Sequence, residues 1–134
     1  MVRKELLEAF ETARYQVSEP AFQIHIGQRN LEVDQLLENH RRTTWAFITP
    51  FNPGSKIIPV DKNEARFLAL KKDVNGFFVY EGWGGGQHWK WPFEKSLLIL
   101  GIGIDRAKDL GRHYGQDAIL YGLLKQNAEV RLLR

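Results

Sequence analysis

The feature that most constrains the fold is an apolar segment near residue 100. From Leu97 to Ile104 it contains no charged or strongly polar side chain. Alternate side chains of a strand point to opposite faces, so a continuous apolar run is typical of a strand buried on both faces. The run is far shorter than the roughly 20 residues that span a bilayer. We therefore expect an interior strand over residues 95–103.

Hydrophobic periodicity predicts the remaining elements. Helical spacing is expected over residues 3–17, 30–40, 61–74 and 105–114, and strands over 21–26, 44–49, 77–81, 117–123 and 128–133. This mixture of hairpins and helical crossovers predicts an α+β fold: a single mixed, largely antiparallel sheet of five to six strands, with about four helices mostly on one face. A chain of 134 residues has a common domain size, so we expect residues 1–134 to form a single domain.

Composition excludes several classes of site. The chain has no cysteine, which removes disulfides, thiolate metal sites and cysteine nucleophiles. The four histidines do not occur at metal-ligand spacing, and no phosphate-binding P-loop is present. Gly101-Ile102-Gly103 begins like a dinucleotide fingerprint, but Arg106 occupies the position of the third glycine. The sequence therefore predicts no metal and no cofactor.

Charge and the N-terminal segment bear on location and partners. The chain starts with a charged amphipathic pattern, not the apolar stretch of a signal peptide, so we expect a cytoplasmic protein with no membrane segment. The net charge is +3, but basic and acidic residues interleave along the chain. Nucleic-acid binding needs basic charge gathered on one face, so the signal for it is weak. The sequence leaves the oligomeric state open.

Three stretches carry a resemblance to a known family. They are Ile48–Pro53, Glu94–Ile102 and Leu110–Ala118. In this order they resemble the bacterial family catalogued as domain of unknown function 3293, over most of the chain. The resemblance implies no activity, but it supports the single-domain interpretation. It also implies an aromatic residue before Asn-Pro, matched by Phe51, and a polar helix start, matched by Asn63 and Arg66.

The segment Gly82–Trp91 is the most unusual stretch, with three tryptophans within nine residues around a triple glycine. One interpretation is a lid in which Trp83 and Trp89 stack on a flat ligand, with His88 available for proton transfer. The alternative is a hairpin loop whose tryptophans cover the core.

Asn52-Pro53-Gly54-Ser55 directly follows a predicted strand. Its Gly-Ser backbone amides could form an anion-binding nest, with Asn52 and Ser55 as ligand contacts. Asn63 and Arg66 share one helical face, and Arg66 would pair with a carboxylate or phosphate. The alternatives are an ordinary Pro-Gly turn and a surface ion pair.

Two further polar residues adjoin predicted element ends. Glu94 leads into the apolar strand, where burial would raise its pKa and suit it to act as a general base. The alternative is a rim glutamate paired with a lysine or arginine. Gln116 follows a helix stop at Gly115 and could orient a ligand, although helix capping also explains a polar residue there.

The leading hypothesis is therefore a small domain that binds a small polar or anionic ligand in a pocket with aromatic walls. The pocket would join Asn52, Arg66 and Glu94, and turnover would use acid/base chemistry by Glu94 or His88. The alternative is a nucleic-acid or protein interaction module that uses exposed tryptophans and basic residues. A third interpretation is a structural subunit without a ligand. The sequence does not decide whether the protein is an enzyme.

Overall fold

The structure is a computed structural model that describes residues 3–85 and 93–133. Within these residues the chain forms four helices: α1 (Arg3–Thr12), α2 (Leu31–His40), α3 (Val60–Asp73) and α4 (Ile104–His113). The strands are β1 (Arg14–Val17), β2 (Phe22–Ile24), β3 (Thr44–Ile48), β4 (Phe78–Gly85), β5 (Glu94–Leu100), β6 (Ala118–Leu123) and β7 (Glu129–Leu132). The α+β class is confirmed.

In the described part of the chain, seven strands form one sheet in the order β2-β1-β4-β5-β3-β6-β7. The prediction of five to six strands was wrong because β1 was assigned to the first helix. Val17 also fits the helical spacing of Phe10 and Ala13 before it, but here Tyr15 and Val17 alternate with exposed or half-buried neighbours.

Every pair of neighbouring strands in this sheet is antiparallel, so the prediction of a mixed sheet was also wrong. Parallel pairs were expected because helical crossovers usually join adjacent parallel strands. Here α3 connects β3 to β4, and β5 lies between them. Similarly, α4 connects β5 to β6, and β3 lies between them. Each crossover therefore skips one strand, and the neighbours remain antiparallel.

Helices cover both faces of the sheet, contrary to the prediction that they lie mostly on one. On β5, Leu98 and Leu100 pack in one core cluster with residues of α2, and Phe10 of α1 packs against the same cluster. Leu97 and Ile99 pack in a second cluster with residues of α3 and α4. Because β5 is apolar at successive positions, both of its faces must be shielded from water.

The face that carries α1 and α2 is concave, because Ile24 and Ala128, from beside the two edges of the sheet, pack in the core cluster on that face. A bridge between Ile26 and Ala128 brings the two edges of the sheet together, and Gly27 N donates to the Ala128 carbonyl at 2.8 Å. A seven-stranded sheet can meet itself in this way only if it curls strongly. The curvature leaves a hollow between the sheet and the helix at the start of the chain.

Replacing Leu98 by alanine tests the central position of β5. Leu98 has no exposed surface, so we expect the free energy of unfolding to fall by about 2–5 kcal/mol, as for other buried leucines. Leu68 on α3 is 60% exposed. Leu68→Ala is the control and should change the free energy by less than about 0.5 kcal/mol. Urea denaturation measures both, and equal losses would contradict the assignment.

Candidate functional site

A cavity of about 70 Å³ lies on the concave face, beneath α1. We call it the α1 cavity. Its apolar wall combines α1 and the segment after it with three strands, through Ala9, Phe10, Ala13, Tyr15, Phe47 and Leu120. Its polar rim consists of Asn52, Ser55, Glu94, Gln116 and Asp117. The rim residues come from three distant parts of the sequence, and four of them were predicted as site residues.

Asn52 joins the loop after β3 to two other elements. It is 4% exposed and has a left-handed backbone with φ 48°, a conformation that asparagine tolerates better than most residues. Its Oδ1 accepts from Asn63 Nδ2 at 2.8 Å and from Ile58 N at 3.1 Å. Its Nδ2 donates to Glu94 Oε2 at 3.0 Å. One side chain therefore links this loop, α3 and β5.

Glu94 and Tyr15 lie on the same face of the sheet, on either side of Gly84. The register pairs Gly84 with both residues, and Gly84 has no side chain to fill the space between them. Burial, and secondarily the charge of Glu94, raises the pKa of Tyr15, so its phenol stays protonated at neutral pH. The hydroxyl of Tyr15 donates to the Phe10 carbonyl at the end of α1. The same tyrosine thus contacts both the rim and the helix above it.

A second set of contacts fastens the Asn52 loop to the turn after α4. Ser55 Oγ donates to Asp117 Oδ2 at 2.8 Å, and Gln116 Nε2 donates to the Phe51 carbonyl at 2.9 Å. Gly54 N donates to the Gly115 carbonyl at 2.8 Å, and Ser55 N to the Asn52 carbonyl at 3.0 Å. Both amides of the expected anion nest are therefore occupied by protein acceptors, so the loop does not form one.

Arg66 and Asn63 do not line the α1 cavity. Arg66 Nε donates to the Pro50 carbonyl at 2.7 Å, and its Nη2 donates to the Tyr114 carbonyl. The guanidinium also lies 5.4 Å from the centroid of the Tyr114 ring. Arg66 thus clamps the chain after β3 to the end of α4. Asn63 exchanges hydrogen bonds with Asn52 but does not line the cavity. Of the three residues expected in one pocket, Asn52 and Glu94 meet and Arg66 does not.

The expected tryptophan contacts are not part of the described cavity. Trp83 neighbours Gly84 on β4 and so points to the opposite face of the sheet, where its ring packs against Phe93 at 4.4 Å between centroids. His88 and Trp89 lie outside the described residues. The aromatic wall instead comes from Phe10, Tyr15 and Phe47. Sequence reasoning missed Tyr15 because it assigned that residue to a helix.

Of the five rim residues, Asp117 is the one that the sequence analysis did not select. It is 5% exposed and directly precedes β6. A carboxylate directly before a buried strand was the available signal, and the same signal had singled out Glu94.

In residues 3–85 and 93–133, no group of acidic and histidine side chains is arranged to hold a metal ion. No helix in these ranges is long and apolar enough to cross a membrane.

The fold and site together define an α+β protein with a polar-rimmed cavity on the concave face of an antiparallel sheet. Residues 48–119, just over half of the chain, match the family model described as "Protein of unknown function (DUF3293)". The chain belongs to this family, which confirms the resemblance seen in the sequence. No curated protein and no solved structure matches the chain significantly. The matched segment includes every residue of the polar rim.

Arg66→Ala tests the clamp. Two backbone carbonyls would lose a charged donor, so we expect the free energy of unfolding to fall by about 1.5–3 kcal/mol. Arg66→Lys should restore little of it, because an ammonium group cannot reach both acceptors with a planar fork.

The control for the clamp is Arg112→Ala. Arg112 is exposed and pairs with Asp109 at 3.6 Å, so its loss should cost less than about 0.5 kcal/mol. Urea denaturation measures all three variants. A loss at Arg66 no larger than that at Arg112 would show that the clamp contributes nothing.

Proposed function

We propose that this protein binds a small polar ligand in the α1 cavity. The observation that carries the proposal is the meeting of polar side chains from three distant segments at the rim of one apolar hollow. Ligand sites typically combine a mainly apolar, partly aromatic lining with a few polar groups that orient the ligand. Phe10 and Phe47 supply the aromatic lining, and Asn52, Glu94 and Gln116 supply the polar groups.

The dimensions of the hollow agree with a small ligand. One water needs roughly 10–15 Å³ of such space, whereas the α1 cavity has about 70 Å³. The volume therefore suits a polar group together with a short apolar portion. If the bound molecule is turned over, Glu94 supports acid/base chemistry, because its carboxylate is half-buried, lines the cavity and has Asn52 as a hydrogen-bond donor.

The interaction-module alternative gains less support from the described residues. Lys71 pairs with Glu81, and Lys95 pairs with Glu64 at 2.9 Å. Such paired cations present little net positive charge to a nucleic acid. Trp83 is half-buried and its ring packs against Phe93, which leaves it less exposed than the interaction module requires. These contacts favour the ligand pocket over the interaction module.

A panel of small ligands tests the pocket. The panel should contain alkylammonium ions, amides, polyols and carboxylates, and binding should be followed by the backbone amide chemical shifts of the protein. We expect at least one class to shift the amides of Ala9, Tyr15 and Ala118, all of which line the cavity.

Ala9→Leu should abolish these shifts, since the larger side chain grows into the cavity from a helical position where leucine is well tolerated. The matched control is Ala65→Leu, at an exposed position of α3, which should leave the shifts unchanged. The pocket is refuted if no panel member perturbs the cavity amides, or if binding survives in Ala9→Leu.

A further inference from the structure

We infer that Gly84 of β4 is a specificity-determining residue of the α1 cavity, where a short hydrocarbon portion of the ligand lies directly against the bare backbone of the strand. This inference rests on the proposed function and adds which part of the cavity limits the size of the ligand. It follows from the reasons for which a strand paired on both sides can contain glycine.

Glycine in a paired strand weakens that strand. It loses more backbone freedom on folding than any other residue, and it offers no side chain to pack. Four features can offset this loss: a positive φ, a β-bulge, a neighbouring atom too close for a Cβ, or a ligand that approaches the backbone. The structure tests the first three directly at Gly84.

The backbone at Gly84 is ordinary for a strand. Its φ is not positive, so the left-handed conformation that favours glycine is not needed here. The register runs through Gly84 on both sides, with Tyr15 of β1 and Glu94 of β5 as partners, and no extra residue interrupts it. Neither a positive φ nor a bulge therefore requires glycine at this position.

A side chain would also fit at Gly84. Outside the adjacent residues, the nearest atom to an added Cβ would be Tyr15 Cδ1 at 3.5 Å, an ordinary van der Waals distance. Gly82, two residues earlier on the same face of β4, is different. A Cβ there would overlap the Gln16 carbonyl oxygen and would lie 3.1 Å from a ring carbon of Phe47. The sheet therefore requires glycine at position 82 and does not require it at position 84.

The remaining reason for glycine at position 84 is a ligand. Gly84 lines the α1 cavity, and its strand partners on the same face are Tyr15 and Glu94. Without a Cβ at this point, a bound molecule can come closer to the sheet by the thickness of a methyl group. Alanine would fit the fold and would fill part of the cavity, so Gly84 serves the space and not the strand.

The surroundings of Gly84 indicate which part of a ligand lies there. The ring of Tyr15 lies beside Gly84, and a ring carbon of Phe47 lies over neighbouring Gly82. The centroids of these two rings are 6.1 Å apart. Two aromatic rings and bare backbone favour a hydrocarbon group through van der Waals contact and burial from water. The ligand is therefore a short aliphatic molecule whose other end is polar and meets the rim, which begins at Glu94.

Gly84→Ala separates a role in binding from a role in the fold. The urea midpoint of this variant should stay the same or rise, because alanine fits the backbone and restricts the unfolded chain. Gly82→Ala is the structural comparison, and its midpoint should fall because its Cβ overlaps the Gln16 carbonyl oxygen. Gly103→Ala is the control for binding. Gly103 is exposed, does not line the cavity and has no atom within 4 Å of an added Cβ.

The probes are the two- and three-carbon members of four classes: ethylammonium and n-propylammonium, acetamide and propionamide, ethylene glycol and 1,2-propanediol, and acetate and propionate. Each is titrated into the whole protein while the backbone amides of Tyr15 and Ala118, which line the cavity, are observed. In at least one class the parent protein should bind the three-carbon member about fourfold more tightly, the gain for burying one methylene. Gly84→Ala should lose this preference, because its methyl group fills the space of the third carbon, and Gly103→Ala should keep it.

The outcomes distinguish this inference from the proposed function. A three-carbon preference that persists in Gly84→Ala overturns the inference, as does a parent protein that binds both members of every class equally. A fall in the urea midpoint of Gly84→Ala as large as that of Gly82→Ala overturns it too, since glycine would then serve the fold. These results leave the pocket in place. Silence of all eight probes also overturns the inference, while the pocket itself fails only by the panel and the Ala9→Leu variant described above.

Discussion

The α1 cavity depends on the hydrogen bonds of one buried side chain, that of Asn52. A residue at this position must adopt a left-handed backbone and must both donate and accept at the end of its side chain. Asparagine meets all three requirements, since its amide group has donors and an acceptor and it tolerates positive φ. Aspartate would place a second carboxylate against Glu94, and alanine would leave Ile58 N without its acceptor. These requirements favour asparagine at position 52, and its hydrogen bonds hold Glu94 and the loop at the rim of the cavity.

The rim and the apolar wall have different origins in the chain. The segment matched by the family model, residues 48–119, contains all of the polar rim. The helix and strand that close the cavity from the other side, α1 and β1, lie before it. Tyr15 connects the two parts, because its ring lies in the wall while its hydroxyl bonds the end of α1. The polar groups of the cavity therefore lie within the matched segment, whereas α1 and β1, which supply much of its apolar wall, lie outside it.

Much of the fold was predictable from sequence, because α2 has apolar residues at helical spacing and β5 contains a continuous apolar run. The strand β1 was not predictable, since Val17 continues the helical spacing of the residues before it, and only the pairing with β2 and β4 selects a strand there. Residue type suggested that Asn52 and Glu94 share a pocket, and the structure brings them together; Ser55 and Gln116, suggested separately as ligand contacts, lie at the same rim. It misplaced Arg66, because bonds to backbone carbonyls leave no trace in sequence.

The most direct test of this account is a double-mutant cycle between Asn52 and Glu94. Asn52→Gly removes the side chain while keeping the left-handed backbone accessible, and Glu94→Ala removes the acceptor. Free energies of unfolding for the parent, both single variants and the double variant give the energy of interaction between the two side chains. The account predicts an interaction of more than about 1 kcal/mol, as expected for a hydrogen bond to a charged group. An interaction near zero would contradict it, because the loop and β5 would then be held together by something other than Asn52.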